Sequence, residues 1–143
     1  MTHEPAGPLT GPGFWLADPG DVTVGATFRT GLYFVGIERP QPFRCRVEVV
    51  FDPRMLYCVA VEPPPPGGPP VSHDAVITSG RVAAAVGVPA QDGTPAHPPP
   101  GPVPLATLRW RCVGEGASEV FVRVVDPDGH APSRLRIIQR PRA

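Results

Sequence analysis

Lysine and asparagine are absent from this 143-residue chain, and all 13 of its cationic side chains are arginine. A GC-rich genome accounts for that bias, and so does selection for heat resistance, since thermophile proteins shed Asn and place proline in loops. Charge excess is also missing. Arginines balance the acidic residues to a formal net charge of zero, with a pI near 6.9, so there is no global basic field of the kind that drives nucleic-acid binding. No apolar run approaches a membrane span. The first 20 residues lack both a positively charged start and an apolar core, which argues against a signal peptide and for synthesis in the cytoplasm followed by assembly, for instance into a virion. Histidine and cysteine are too few and too scattered for a metal site. His3, His73, His97 and His130 read as loop or tail residues without a ligand at metal spacing, and Cys45, Cys58 and Cys112 lie too far apart for a compact zinc motif. No serine stands in a Gly-x-Ser-x-Gly turn and no carboxylate pair is singled out. We therefore expect no cofactor, no metal and no enzyme.

What the chain does have is alternation. Residues 43–62, FRCRVEVVFDPRMLYCVAVE, contain two alternating apolar runs joined at Asp52-Pro53, where proline cannot continue a ladder. Residues 105–113 and 118–126 repeat that grammar around Gly114-Glu115-Gly116. Further strands are expected at 14–16, at 22–37 as one long strand bent by Gly25, Gly31 and Gly36, at 75–78 and 81–88 as a hairpin, and at 135–139. The sum is an all-β chain of about nine strands, a single immunoglobulin-like or jelly-roll β-sandwich, with no helical period anywhere. Alternation turns Cys45 inward with Val47, and Cys112 inward with Trp110. Buried thiols are the simple reading, while a Cys45–Cys112 bridge across the sandwich would leave Cys58 odd.

Residues 1–13, rich in Pro and Gly, read as a flexible N-terminal arm, 14–139 as the sandwich, and 140–143 as a basic C-terminal tail with Arg140 and Arg142. Two proline loops, 63–70 and 95–104, flank the hairpin and should leave the same end of the fold. Pro64, Pro65, Pro99 and Pro100 would there present polyproline surfaces, either as rigid connectors or as contact points. Asp126-Pro127-Asp128-Gly129 reads as a tight turn, since the Glu that would complete a calcium loop is missing.

The order of these pieces resembles the cohesin family. The resemblance runs through Val24-Gly25, the aromatic-Asp-Pro-x-x-Leu pattern at Phe51-Asp52-Pro53-Arg54-Met55-Leu56, the exit Val61-Glu62-Pro63, the strand opening Gly80-Arg81-Val82 and the turn Asp128-Gly129, covering roughly residues 14–139. It implies a noncatalytic sandwich that captures a dockerin-type protein on the sheet holding residues 43–51 and 118–125. Arg44, Arg46 and Glu48 would face outward there, with Phe121 and Arg123 if parity places them outside. Phe121 beside Arg123 is the aromatic and guanidinium pairing that anchors interfaces. The missing signal peptide, the single-domain length, the arms and the stiff loops point instead to a structural subunit of a symmetric, homo-oligomeric assembly, for instance a capsid decoration or cement protein, which is the leading reading; the dockerin-binding adaptor is the alternative. A carbohydrate-binding module, with Trp15 and Tyr57 as its planar aromatics, stands behind both. For the two leading readings the partners are proteins or identical subunits, and neither nucleic acid nor membrane is expected.

Overall fold

The computed structural model describes residues 13–35, 43–64, 72–88, 103–126 and 133–142. Its strands are β1 (Gly13–Leu16), β2 (Val22–Thr23), β3 (Thr27–Val35), β4 (Phe43–Val50), β5 (Leu56–Glu62), β6 (Ser72–Thr78), β7 (Arg81–Val88), β8 (Val103–Cys112), β9 (Gly116–Asp126) and β10 (Ser133–Arg140). They form a four-stranded sheet, β1-β3-β8-β5, and a six-stranded sheet, β2-β10-β9-β4-β7-β6. Period-two patterning explains the stacking. On β4, Cys45, Val47 and Val49 are buried while Arg46 is exposed, and β10 alternates buried and exposed along its whole length. Side chains of both inner faces meet around Trp110, which is 0% exposed. Its indole N–H donates to the Thr30 hydroxyl at 2.9 Å, and the Phe51 ring meets it edge-on at 4.9 Å between centroids.

The described residues form ten strands, where alternation alone gave about nine. The expected long strand at 22–37 is cut by a turn at Val24 and Gly25, where Gly25 takes φ 91°. The cut sends its two parts to different sheets: β2 pairs in parallel with β10, and β3 pairs with β1 and β8. Gly31 stays inside β3 with the Tyr33 ring packed over it, and the irregularity against β8 falls between Leu32 and Tyr33 instead. His73, read as a loop residue, belongs to β6.

Both glycine- and proline-marked corners cross between sheets. At the first, the amides of Met55 and Leu56 donate to the Asp52 carbonyl, each at 3.0 Å, and the Arg54 amide donates to the Asp52 carboxylate at 2.9 Å. At the second, Val113 and Gly114 donate to the Met55 carbonyl, so the two corners lie against each other. Gln139, 2% exposed, ties them to the last strand: its amide donates to the carbonyls of Met55 at 2.8 Å and Gly114 at 2.7 Å, while its oxygen meets the Ser118 hydroxyl. This buried amide therefore has its partners.

All three cysteines are buried thiols, and the alternative of a Cys45–Cys112 bridge is not realised. Burial pushes the Cys58 thiol up to about 11, only partly offset by its bond to the Ala60 carbonyl. The β6–β7 hairpin pairs Ser72 with Gly87 at its open end, so the chain enters and leaves it at one place. The arm up to residue 12, the bulk of both proline loops with Pro65, Pro99 and Pro100, Gly36, the Asp128-Gly129 turn, and His3, His97 and His130 lie outside the described residues.

Candidate protein-binding face

The outer face of the six-stranded sheet carries Arg46, Glu48, Phe121 and Arg123 of the candidates named from sequence. β4 and β9 are hydrogen-bonded neighbours, with Glu48 opposite Arg123 and Val50 opposite Phe121. Because Val120 and Val122 point into the core, parity turns Phe121 and Arg123 outward. Arg46 is exposed on the same face; Arg44 stands opposite Gly87 in the β4–β7 register.

Glu48 sits at the centre of this surface between two guanidinium groups. Arg123 donates to its Oε1 at 2.9 Å and 2.6 Å, and Arg81 donates to its Oε2 at 3.1 Å. Those bonds, from Arg123 first and Arg81 second, hold the Glu48 carboxyl below its ordinary range despite some desolvation. Arg123 is therefore engaged with Glu48, and the guanidinium over the Phe121 ring is that of Arg134, 5.2 Å from the centroid. The aromatic and guanidinium pairing expected at Phe121 exists with a different arginine. Arg134 also lies 3.9 Å from Glu119.

Beside this cluster runs a shallow groove of about 260 Å³ along β7. Ala83 and Ala85 form its floor, Arg46 and Glu48 one wall, and Asp74 and Val76 the other. Only methyl groups rise from β7 here, so the longer side chains of β4 and β6 stand above it as rims. Sequence reading missed Arg81, Arg134 and this groove. The run Ala83-Ala84-Ala85 inside a Val-rich strand was the available signal, because small residues between large ones on a sheet make a furrow.

Of the other candidates, Arg140 shares the outward parity of Arg134 at the far end of β10, and the rest lie elsewhere. Arg140 is the last residue of β10 and donates to Asp21 at 2.7 Å; Arg142 is exposed beyond it. Pro64 follows β5 and is half-buried. On the opposite sheet Trp15 and Tyr57 occupy the two edge strands, β1 and β5. Three strand spacings of about 4.8 Å separate them, too far to form one sugar platform. Between them Arg29 and Arg109 both reach Glu62, at 3.0 Å and 3.5 Å, and the Arg29 bond is the main reason the Glu62 carboxyl is held low. Among the described residues no group of His, Cys, Asp and Glu is arranged to hold a metal ion.

No protein-family model and no curated protein matches this sequence. Solved structures do match it. A cohesin module from a Clostridium perfringens family 33 glycoside hydrolase superposes with a TM-score of 0.62 at 12% identity, covering 92% of this chain and 98% of that one. The third cohesin of ScaC from Acetivibrio cellulolyticus, in complex with the ScaB dockerin, gives a TM-score of 0.55 at 9% identity over 87% of this chain and 99% of that one. The C-terminal domain of the Streptococcus agalactiae polypeptide BspA gives 0.57 at 9% identity over 89% of this chain and 50% of that one. At such identities the likeness is one of fold, and the fold is the cohesin-like β-sandwich expected from sequence.

Proposed function

We propose that this chain is a noncatalytic binding module that takes a dockerin-type protein on the outer face of its six-stranded sheet. The observation that carries the reading is the outward-facing constellation on that sheet, the Arg134-covered Phe121, the Glu48 cluster and Arg46 beside an apolar furrow, on a fold whose solved neighbours include cohesins bound to dockerins. Every strand of the sheet's interior already has both neighbours, so a partner there must pack against side chains rather than add a strand. An aromatic ring capped by arginine, with a second arginine nearby, is the composition of an interface anchor. The neighbours described above are cohesin modules and the C-terminal domain of a streptococcal AgI/II polypeptide; none is described as a capsid protein, so the capsid-decoration reading draws no support from them.

Isothermal titration against the dockerin modules encoded in the same genome tests the reading. One of them should bind one-to-one, and Phe121→Ala with Arg46→Glu should weaken that complex at least tenfold, or about 1.4 kcal/mol, while Tyr57→Ala on the opposite sheet leaves it unchanged. Absence of binding to every dockerin, or equal loss from Tyr57→Ala, would overturn it.

A further inference from the structure

The two sheets end in four edge strands, and three of them are blunted. β1 has four residues, β2 has two, and β5 is broken by a register shift between Cys58 and Ala60. Short length and bulges are the usual devices that keep an edge from pairing with another chain. β6 has neither device. It runs seven residues in unbroken register with β7, and among the described residues no strand lies on its other side. Its sequence, SHDAVIT, contains no proline and no arginine. Val76 is 63% exposed and Ile77 36% exposed, an apolar pair left uncovered at the open edge.

The turn fixes which backbone groups the edge offers. Ser79 and Gly80 make a two-residue hairpin closed by Thr78 and Arg81, so this closing pair is mutually bonded and the pairs alternate from there. Val76 and Asp74 thus bond inward to β7, while Ala75 and Ile77 turn their amides and carbonyls to the open side.

We propose that β6 is a self-pairing edge, which takes β6 of a second copy of this chain antiparallel to itself about a two-fold axis at Val76. In that register Val76 faces Val76 in a non-bonded pair, where side chains approach most closely, and Ala75 and Ile77 exchange their outward hydrogen bonds. Asp74 falls opposite Thr78, a hydroxyl, and the two Asp74 carboxylates stay about 14 Å apart, four residues at about 3.4 Å each, beyond a Debye length of about 8 Å. Centring the axis on Ala75 would instead set each Asp74 carboxylate against Val76. The edge is thus self-complementary in one register and frustrated in the next. A seven-residue edge covers less than the roughly 1,200 Å² of a standard stable interface, so association depends on concentration. It also sets both outer faces on the same side of one continuous sheet, which makes the pair bivalent.

Cross-linking reads the register directly, because the three native thiols are buried and silent. Under mild oxidation Val76→Cys should give a covalent dimer through the substituted positions. Asp74→Cys should do so only when combined with Thr78→Cys, and Tyr57→Cys on the β5 edge should not. In sedimentation the mass of the wild type should climb toward twofold with concentration, and Val76→Lys, at an exposed site with its melting unchanged, should stay monomeric. No covalent dimer from Val76→Cys, equal cross-linking from Tyr57→Cys, or a wild type of constant monomer mass would each overturn the proposal.

Discussion

Gln139 is the residue on which most of the sandwich's polar accounting converges. Its amide closes the half-buried carbonyls of two corners, and its oxygen meets the buried Ser118 hydroxyl. Gln139→Leu keeps most of the volume but leaves those groups one donor or acceptor short, which costs about 1–3 kcal/mol. The expected result is a lowered urea midpoint with an unchanged m-value, since the same surface is exposed on unfolding. Nothing in the sequence marks this role, because a glutamine at the last position of the expected strand 135–139, next to the basic tail, reads as an ordinary polar strand end. Only the meeting of β10 with both corners reveals it. Phe121 shows the same limit. The alternation in SEVFVRVVD left its outward parity conditional, and its companion was not legible at all, because Arg134 reaches it through the β9–β10 register that sets it opposite Phe121.

At the scale of the element, turns rather than strands decide what was readable. The alternation of FRCRVEVV gave the inward Cys45, Val47 and Val49 directly, and the Asp52-Pro53 corner was visible because proline has only one meaning there. The division at Val24-Gly25 was not, since strand-favouring residues stand on both sides, Val22 and Thr23 before it and Thr27 and Phe28 after it, and a glycine fits a bulge as well as a turn. Gly80 offers a test of how tightly a turn is specified. It takes φ 82°, and a Cβ there would come within 3.3 Å of the Phe51 carbonyl oxygen, which accepts no slack because Phe51 itself donates to Gly80 at 3.0 Å. Gly80→Ala should destabilise by about 1–2 kcal/mol, the cost of left-handed backbone for an L residue. Thermal melting would show a transition lower by several degrees. An unchanged melt would mean that the hairpin can adopt another turn.

For the molecule as a whole, stability owes nothing to cross-links between cysteines. The thermal transition should be indifferent to reductant, and thiol titration should find all three cysteines unreactive until the chain unfolds. Cys58 adds a pH dependence with a definite sign. Its pKa is raised by burial from 9.0 to about 11, so the folded state keeps its proton after the unfolded state has lost it. That preference stabilises nothing extra below 9 and subtracts from stability as pH climbs from 9 toward 11. Cys58→Ala should flatten this alkaline decline in a urea series taken at increasing pH. The geometry of entry and exit carries one more consequence. Ser133, at the start of β10, donates to the Phe14 carbonyl of β1, while β10 finishes seven residues later beside β2. Chain enters the sandwich at one end and leaves at the other, and both terminal strands lie lengthwise along that line. Tension drawn through the molecule would load the ladders of β1 and β10 in shear, all rungs together, instead of peeling them open one at a time.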